Sequence, residues 1–210
     1  TMTNIYADNS LSIGRTPQTV ETLGAATIIC TDKTGTLTEN SMQVAVIYDF
    51  ATNKYFNYPA AQVQPNEVLA YAMWSSESVP FDPMEKSIHT LYEQSFTIDD
   101  RPLYKMVHEY PLDGAPPVMT HVFRNAANDT IIACKGGVES ILRQSVLTDE
   151  QKQQMLEVTQ QLSAQGYRVL AVAKSAKSYD KFPATQAEFD YTFLGLIAFS
   201  DPPKKNTASI

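Results

Sequence analysis

The chain has 210 residues, 43% of them hydrophobic, and carries a formal net charge of -7 with a pI near 4.9. That length holds one domain or two small ones of ordinary globular composition, and the acidic balance argues against a nucleic-acid binder, which needs a basic stripe to meet the phosphate backbone. No apolar run approaches the roughly 20 residues that span a bilayer, the best being Phe193 to Phe199, and Thr1 to Ser10 lacks the charged and apolar regions of a signal peptide.

The opening to Gly24 is polar, with a short helix predicted over 18–23 and Gly24 placed to end it. Residues 26–31 read as a strand apolar on both faces, as in a parallel sheet covered on both sides. From Met42 the pattern alternates through Val44, Val46 and Tyr48, a half-buried antiparallel strand that a hairpin at Asn53 joins to Tyr55-Phe56. Residues 66–76 predict a helix with Val68, Leu69, Ala72 and Met73 on one stripe. A second helix starts at Asp82-Pro83-Met84-Glu85, where Asp82 caps, Pro83 suits the first turn and Glu85 stands at the capping-box position. Its buried face is Met84, Ile88, Leu91 and Tyr92.

Residues 118–125 and 130–135 read as paired strands turning at Asn128-Asp129. Thr148-Asp149-Glu150-Gln151 is another capping box, opening a helix with Met155 and Leu162 inward and a stop at Gly166. Strands over 167–173 and 193–199 complete the set. Cys30 and Cys134 lie in strand-like stretches without paired spacing, which predicts buried thiols in a reducing compartment. His89, His108 and His121 show no ligand spacing, and Trp74 falls on a core stripe.

The densest chemistry is in Asp32-Lys33-Thr34-Gly35-Thr36-Leu37-Thr38. Asp32 stands at the carboxyl end of a predicted strand, the edge where open α/β sheets gather ligands. An aspartate there can become an aspartyl-phosphate. Lys33 and Thr34 bring charge and a hydroxyl to a transferred phosphoryl group, and Gly35 lets main-chain amides face its oxygens. Such transfer rests on positioning and charge neutralisation, usually with Mg²⁺. A strand-ending aspartate in a Thr/Gly turn is common by itself. All seven positions, however, match the phosphorylation motif, and the chain resembles the P-type ATPases, ion pumps that phosphorylate themselves on aspartate.

Val20-Glu21-Thr22-Leu23-Gly24, Leu194-Gly195-Leu196-Ile197 and Asp201-Pro202-Pro203-Lys204 extend the resemblance over most of the chain, and it looks closest to the calcium-pump-like branch. It implies an α/β (α+β) fold: a mostly antiparallel sheet with flanking helices, the nucleotide-binding domain, inserted in an incomplete haloacid-dehalogenase-like phosphorylation domain. Residues 1–40 would open the phosphorylation domain, 41–196 would form the nucleotide-binding domain, and 197–210 would be hinge and return. The cofactors implied are ATP and Mg²⁺, with Asp32 and Thr34 as metal ligands beside aspartates beyond Ile210.

Four further elements map onto the nucleotide site through the resemblance. Asp82-Pro83-Met84-Glu85 puts Glu85 near the adenine amino group, and Glu109-Tyr110-Pro111-Leu112 puts the Tyr110 ring on adenine. Lys135-Gly136-Gly137-Val138-Glu139 resembles a K-G-A-P-E motif in which Lys135 lines the adenosine pocket, and Gly136 permits close approach of a ligand. Gly166-Tyr167-Arg168-Val169-Leu170-Ala171 resembles a G-x-R-x-L-A strand; it adds Leu170 and aims the planar fork of Arg168 at phosphates.

The implied partners are ATP and the rest of the same pump, its membrane, actuator and phosphorylation domains, on the cytoplasmic face of a membrane, with no nucleic acid. The fragment itself is expected to be soluble, to bind ATP weakly and to form no phosphoenzyme. Two alternatives stand beside this reading: a soluble haloacid-dehalogenase-like phosphatase, or a non-catalytic nucleotide-binding regulatory module. The phosphatases usually place a second aspartate two residues after the nucleophile, where this chain has Thr34, so the proton shuttle is missing.

Overall fold

The computed structural model describes residues 38, 41–59, 64–177, 179 and 181–202. The helix predicted at 18–23, the strand at 26–31, Cys30 and the run Asp32-Lys33-Thr34 all lie outside the described residues. The chain divides into two units, Thr1–Asn40 with Asp201–Ile210, and Ser41–Ser200. In the smaller unit Thr38 Oγ1 donates to Asp201 Oδ2 at 2.5 Å.

The larger unit contains β1 (Gln43–Asp49), β2 (Lys54–Asn57), α1 (Glu67–Trp74), α2 (Pro83–Ser95), β3 (Tyr104–Asp113), β4 (Val118–Asn125), β5 (Thr130–Gly136), α3 (Val138–Gln144), α4 (Asp149–Ala164), β6 (Arg168–Ser175) and β7 (Thr192–Ser200). The strands form one sheet in the order β2-β1-β7-β6-β5-β4-β3, and every neighbouring pair is antiparallel. The expected antiparallel sheet with flanking helices is therefore present in this unit. Its last strand runs through Ser200 because β7 keeps pairing with β1 to that residue, beyond the boundary expected at 196.

Period-two alternation divides the core. Leu196 and Ala198 of β7 pack with Ile141 of α3 and Met155 and Leu162 of α4. Ile197 and Phe199 point the other way, among Val68 and Leu69 of α1 and Ile88 of α2. Trp74 is core, edge-on to Tyr104 and Phe123. Cys134 is buried on the α3/α4 side, and desolvation pushes its thiol up to about 11, so it is inert packing. No helix among the described residues is long and apolar enough to cross a membrane.

The local signals act where their chemistry is complete. Thr148 and Gln151 form both halves of the α4 capping box, at 3.2 and 2.9 Å, and Gly166 takes φ +87° past its end. At α2 the outcome differs. Asp82 caps Met84 N at 2.8 Å and Glu85 N at 3.4 Å, but the Glu85 carboxylate does not return to close a box. It is committed elsewhere, as described below.

Two histidines are buried among these layers. His89 Nδ1 accepts from Arg101 Nη1 at 3.2 Å, and His121 donates from Nδ1 to the Ser76 carbonyl at 3.1 Å. Burial holds both imidazoles below their ordinary range, helped by Arg101 at His89 and Lys135 at His121. A depressed folded pKa means the unfolded chain takes the proton first. Their contribution is complete above the unfolded value of 6.5 and is lost as pH falls towards the folded value. Urea unfolding from about pH 7.5 down to about pH 5.5 should therefore show falling stability, with a shallower slope in His89→Gln; a flat wild-type profile would contradict the assignment.

Candidate functional site

A cavity of about 780 Å³ opens where the start of α2, the end of β3, the β5–α3 junction and the start of β6 converge. Glu85, Lys135, Gly136, Arg168 and Leu170 all line it. These residues are scattered over more than eighty positions of sequence, and the antiparallel order β6-β5-β4-β3 gathers them on one side of the sheet.

Lys135 and Glu85 form the centre of the wall and are only 5% and 7% exposed. Lys135 Nζ donates to Glu85 Oε1 at 2.7 Å, to Ser76 Oγ at 3.1 Å and to the Ser75 carbonyl. An ammonium has three protons, and each has an acceptor here. Glu85 Oε2 in turn accepts from the Glu77 amide at 3.3 Å. Desolvation lowers the Lys135 pKa, and the neighbouring Glu85 charge opposes that shift. The two residues expected to meet the nucleotide separately are therefore bonded to each other, which is why Glu85 is not available to close the α2 capping box.

The backbone beside them has no room for side chains. A Cβ at Gly136 would lie 2.5 Å from both Pro117 O and Val118 Cα, and the Gly137 amide donates to Pro117 O at 2.9 Å. The β5 end is thus held against the 116–118 segment with its main chain bare to the cavity. Arg168 opens β6 and is exposed. Lys135 pairs with Val172, so Arg168 stands four residues along the strand, about 13 Å from that row at roughly 3.3 Å per residue. The cavity is polarised: a buried, carboxylate-rich wall at Glu85, and at the far rim an exposed guanidinium without an ion-pair partner among the described residues.

Tyr110 is not brought to this cavity. Its ring belongs to the α3/α4-side core, edge-on to Phe189 at 5.3 Å, and its hydroxyl donates to Pro183 O at 2.6 Å. The side chain that borders the cavity from this strand is Leu112, 62% exposed. Strict alternation would place Tyr110 and Leu112 on one face, but the β3–β4 register shifts between Tyr110 and Asp113 and separates them. The sequence signal for Leu112 is a large apolar residue directly before the turn pair Asp113-Gly114. Glu77 and Glu109 also line the cavity and were not singled out by the sequence.

Two comparisons with known proteins identify the family. A family model described as P-type ATPase, cytoplasmic domain N, matches residues 31–206. The chain is 27% identical to a calcium-transporting ATPase of Bacillus subtilis over 92% of its own length and 26% of that protein. It is 28% identical to calcium-transporting ATPase 1 of Saccharomyces cerevisiae, over 93% of the chain and 25% of the relative. A magnesium-transporting ATPase, P-type 1, of Salmonella typhimurium is 26% identical over 89% of the chain and 21% of the relative. The chain thus spans about a quarter of the length of the curated relatives it matches.

Proposed function

The chain belongs to the family of P-type ATPase cytoplasmic N domains, and from that premise we propose that its cavity binds ATP for a cation-transporting pump. The observation that carries this is the convergence of Glu85, Lys135, Gly136, Arg168 and Leu170 from separate elements on one polarised cavity. The base lies in the end bounded by Leu112 and the Glu85 carboxylate, whose oxygens accept from an exocyclic amino group. Leu112 gives an aliphatic surface where Tyr110 had been expected to give a ring. The bare backbone of Gly136 and Gly137 lets the ribose lie close to β5. The phosphates run towards Arg168, away from the carboxylates that would repel them, and meet its planar fork.

In the whole pump the γ-phosphate passes to Asp32, whose carboxylate oxygen attacks phosphorus while ADP leaves, giving an aspartyl-phosphate. Asp32 and Thr34 offer hard oxygen donors suited to Mg²⁺, which neutralises charge on the transferring group. Lys33 adds a cation on the same run. Thr34 in place of a second aspartate leaves the acyl phosphate without a proton shuttle, and a long-lived phosphoenzyme suits transport better than hydrolysis. In sequence the larger unit falls between the two segments of the smaller one, which would be the two passes of the phosphorylation domain, with Thr38 to Ser41 and Asp201-Pro202-Pro203 as the connecting segments.

Calorimetric titration tests the pocket. Arg168→Ala, at an exposed position, should weaken ATP binding about ten-fold, which is about 1.4 kcal/mol, and leave adenosine binding near the wild-type value. Equal ATP affinities for the two proteins would remove the phosphate assignment, and absence of ATP binding to wild type would remove the reading altogether.

A further inference from the structure

Glu77 and Glu109 line the same cavity, and with the buried His121 each brings one ligand-type atom within 4.8 Å of the others. They come from three different places: Glu77 follows α1, Glu109 lies in β3, and His121 lies opposite Glu109 as its cross-strand partner in β4. Nothing in their sequence spacing relates them; the β3–β4 register does.

The state of the His121 ring is fixed by its surroundings. The side chain is wholly buried, and its Nδ1 lies 3.1 Å from the Ser76 carbonyl. A carbonyl only accepts, so Nδ1 carries the proton. Nε2 is then the lone-pair nitrogen, and it is buried without a hydrogen-bond partner among the described residues. A neutral imidazole that donates one nitrogen to a backbone carbonyl and presents the other bare is the arrangement of a metal-ligating histidine. His89 Nε2 is likewise buried without a partner among the described residues, so what sets His121 apart is the pair of carboxylates whose ligand atoms lie within 4.8 Å of its own.

The charge around the ring points the same way. Glu77, Glu85 and Glu109 line the cavity together, and the Lys135 ammonium is already bonded to Glu85. We propose that Glu77, Glu109 and His121 form a binding site for one divalent transition-metal ion, of Zn²⁺ type, in the wall of the cavity. Imidazole nitrogen with two carboxylates suits such an ion and disfavours Mg²⁺ and Ca²⁺, which take oxygen ligands. Glu109 is exposed and supplies the entry side, and solvent completes the coordination. Because the Glu77 amide donates to Glu85, an ion held by Glu77 sits one residue away from the Lys135–Glu85 pair.

The test is titration of Zn²⁺ into the chain, followed by calorimetry and by the imidazole nitrogen resonances of His121. One ion per chain is expected, with a large shift at Nε2 and a proton retained on Nδ1. Glu109→Gln, at an exposed position that leaves folding intact, should weaken Zn²⁺ binding by about ten-fold or more, as should Glu77→Gln. Excess Mg²⁺ should not displace the ion. The proposal fails if Zn²⁺ does not bind, if both glutamine variants keep wild-type affinity, or if Mg²⁺ competes on equal terms. It also fails if adenosine shifts Nε2 and Zn²⁺ does not, since the acceptor set then reads a base. Zn²⁺ binding is measured without nucleotide, so its outcome is separate from that of the ATP titration.

Discussion

Lys135→Met is expected to destabilise the larger unit by about 3–5 kcal/mol, because it leaves the Glu85 carboxylate buried without its cation. The pair is enclosed on both sides, with side-chain exposures of 6% and 9%, so solvent cannot replace the lost partner. The Ser75 carbonyl and Ser76 hydroxyl lose their donor as well. Urea unfolding monitored by Trp74 fluorescence measures the loss. The double variant Lys135→Met, Glu85→Leu should recover most of it, since a desolvated ion pair replaced whole by apolar groups of similar volume is close to neutral. A single variant within about 1 kcal/mol of wild type would show that water reaches the pair. The pH dependence has a definite sign. The folded Lys135 pKa lies below the unfolded value of 10.5, so wild-type stability gains from this group as pH rises through the folded value towards 10.5, and Lys135→Met loses that gain.

Gly136→Ala should cost about 1–3 kcal/mol through overpacking and abolish nucleotide binding together. The new Cβ would stand 2.5 Å from Pro117 O and Val118 Cα, both main-chain atoms, so relief requires the end of β5 to move away from β4. That movement carries Lys135 with it and closes the backbone approach beside the cavity. The urea midpoint and the ATP titration of the same variant report the two effects. Wild-type values in both would mean that the β4–β5 end yields without penalty, and that the cavity does not depend on this close approach.

The site was only partly legible in the sequence, and the residues show why. Lys135 and Gly136 follow an apolar strand, and Arg168 interrupts one; such departures from local pattern are visible along the chain. Tyr110 was misplaced because its direction depends on a register shift within β3, which no alternation rule contains. β3 was not predicted as a strand, since an edge strand exposed over most of its length, with Pro111 in it, carries little strand signal. Helix α3 was missed because Gly137 caps it without a side-chain hydrogen bond. Glu85 was legible as a capping residue and as a pocket residue; the structure decided between its two partners by burying it against Lys135.

By itself, the sequence determined the family and the mostly antiparallel sheet with flanking helices, and it carried the expectation that Asp32 is the phosphorylated residue. These rest on local order: periodicity of side chains, caps, and short runs of chemically paired residues. The tertiary structure alone decided that Lys135 spends its three protons within the wall, that Leu112 and not Tyr110 borders the cavity, and that Glu77, Glu109 and His121 meet. Each of those depends on strand register or burial, which place residues far apart in sequence within one hydrogen bond of each other and leave no trace in spacing along the chain.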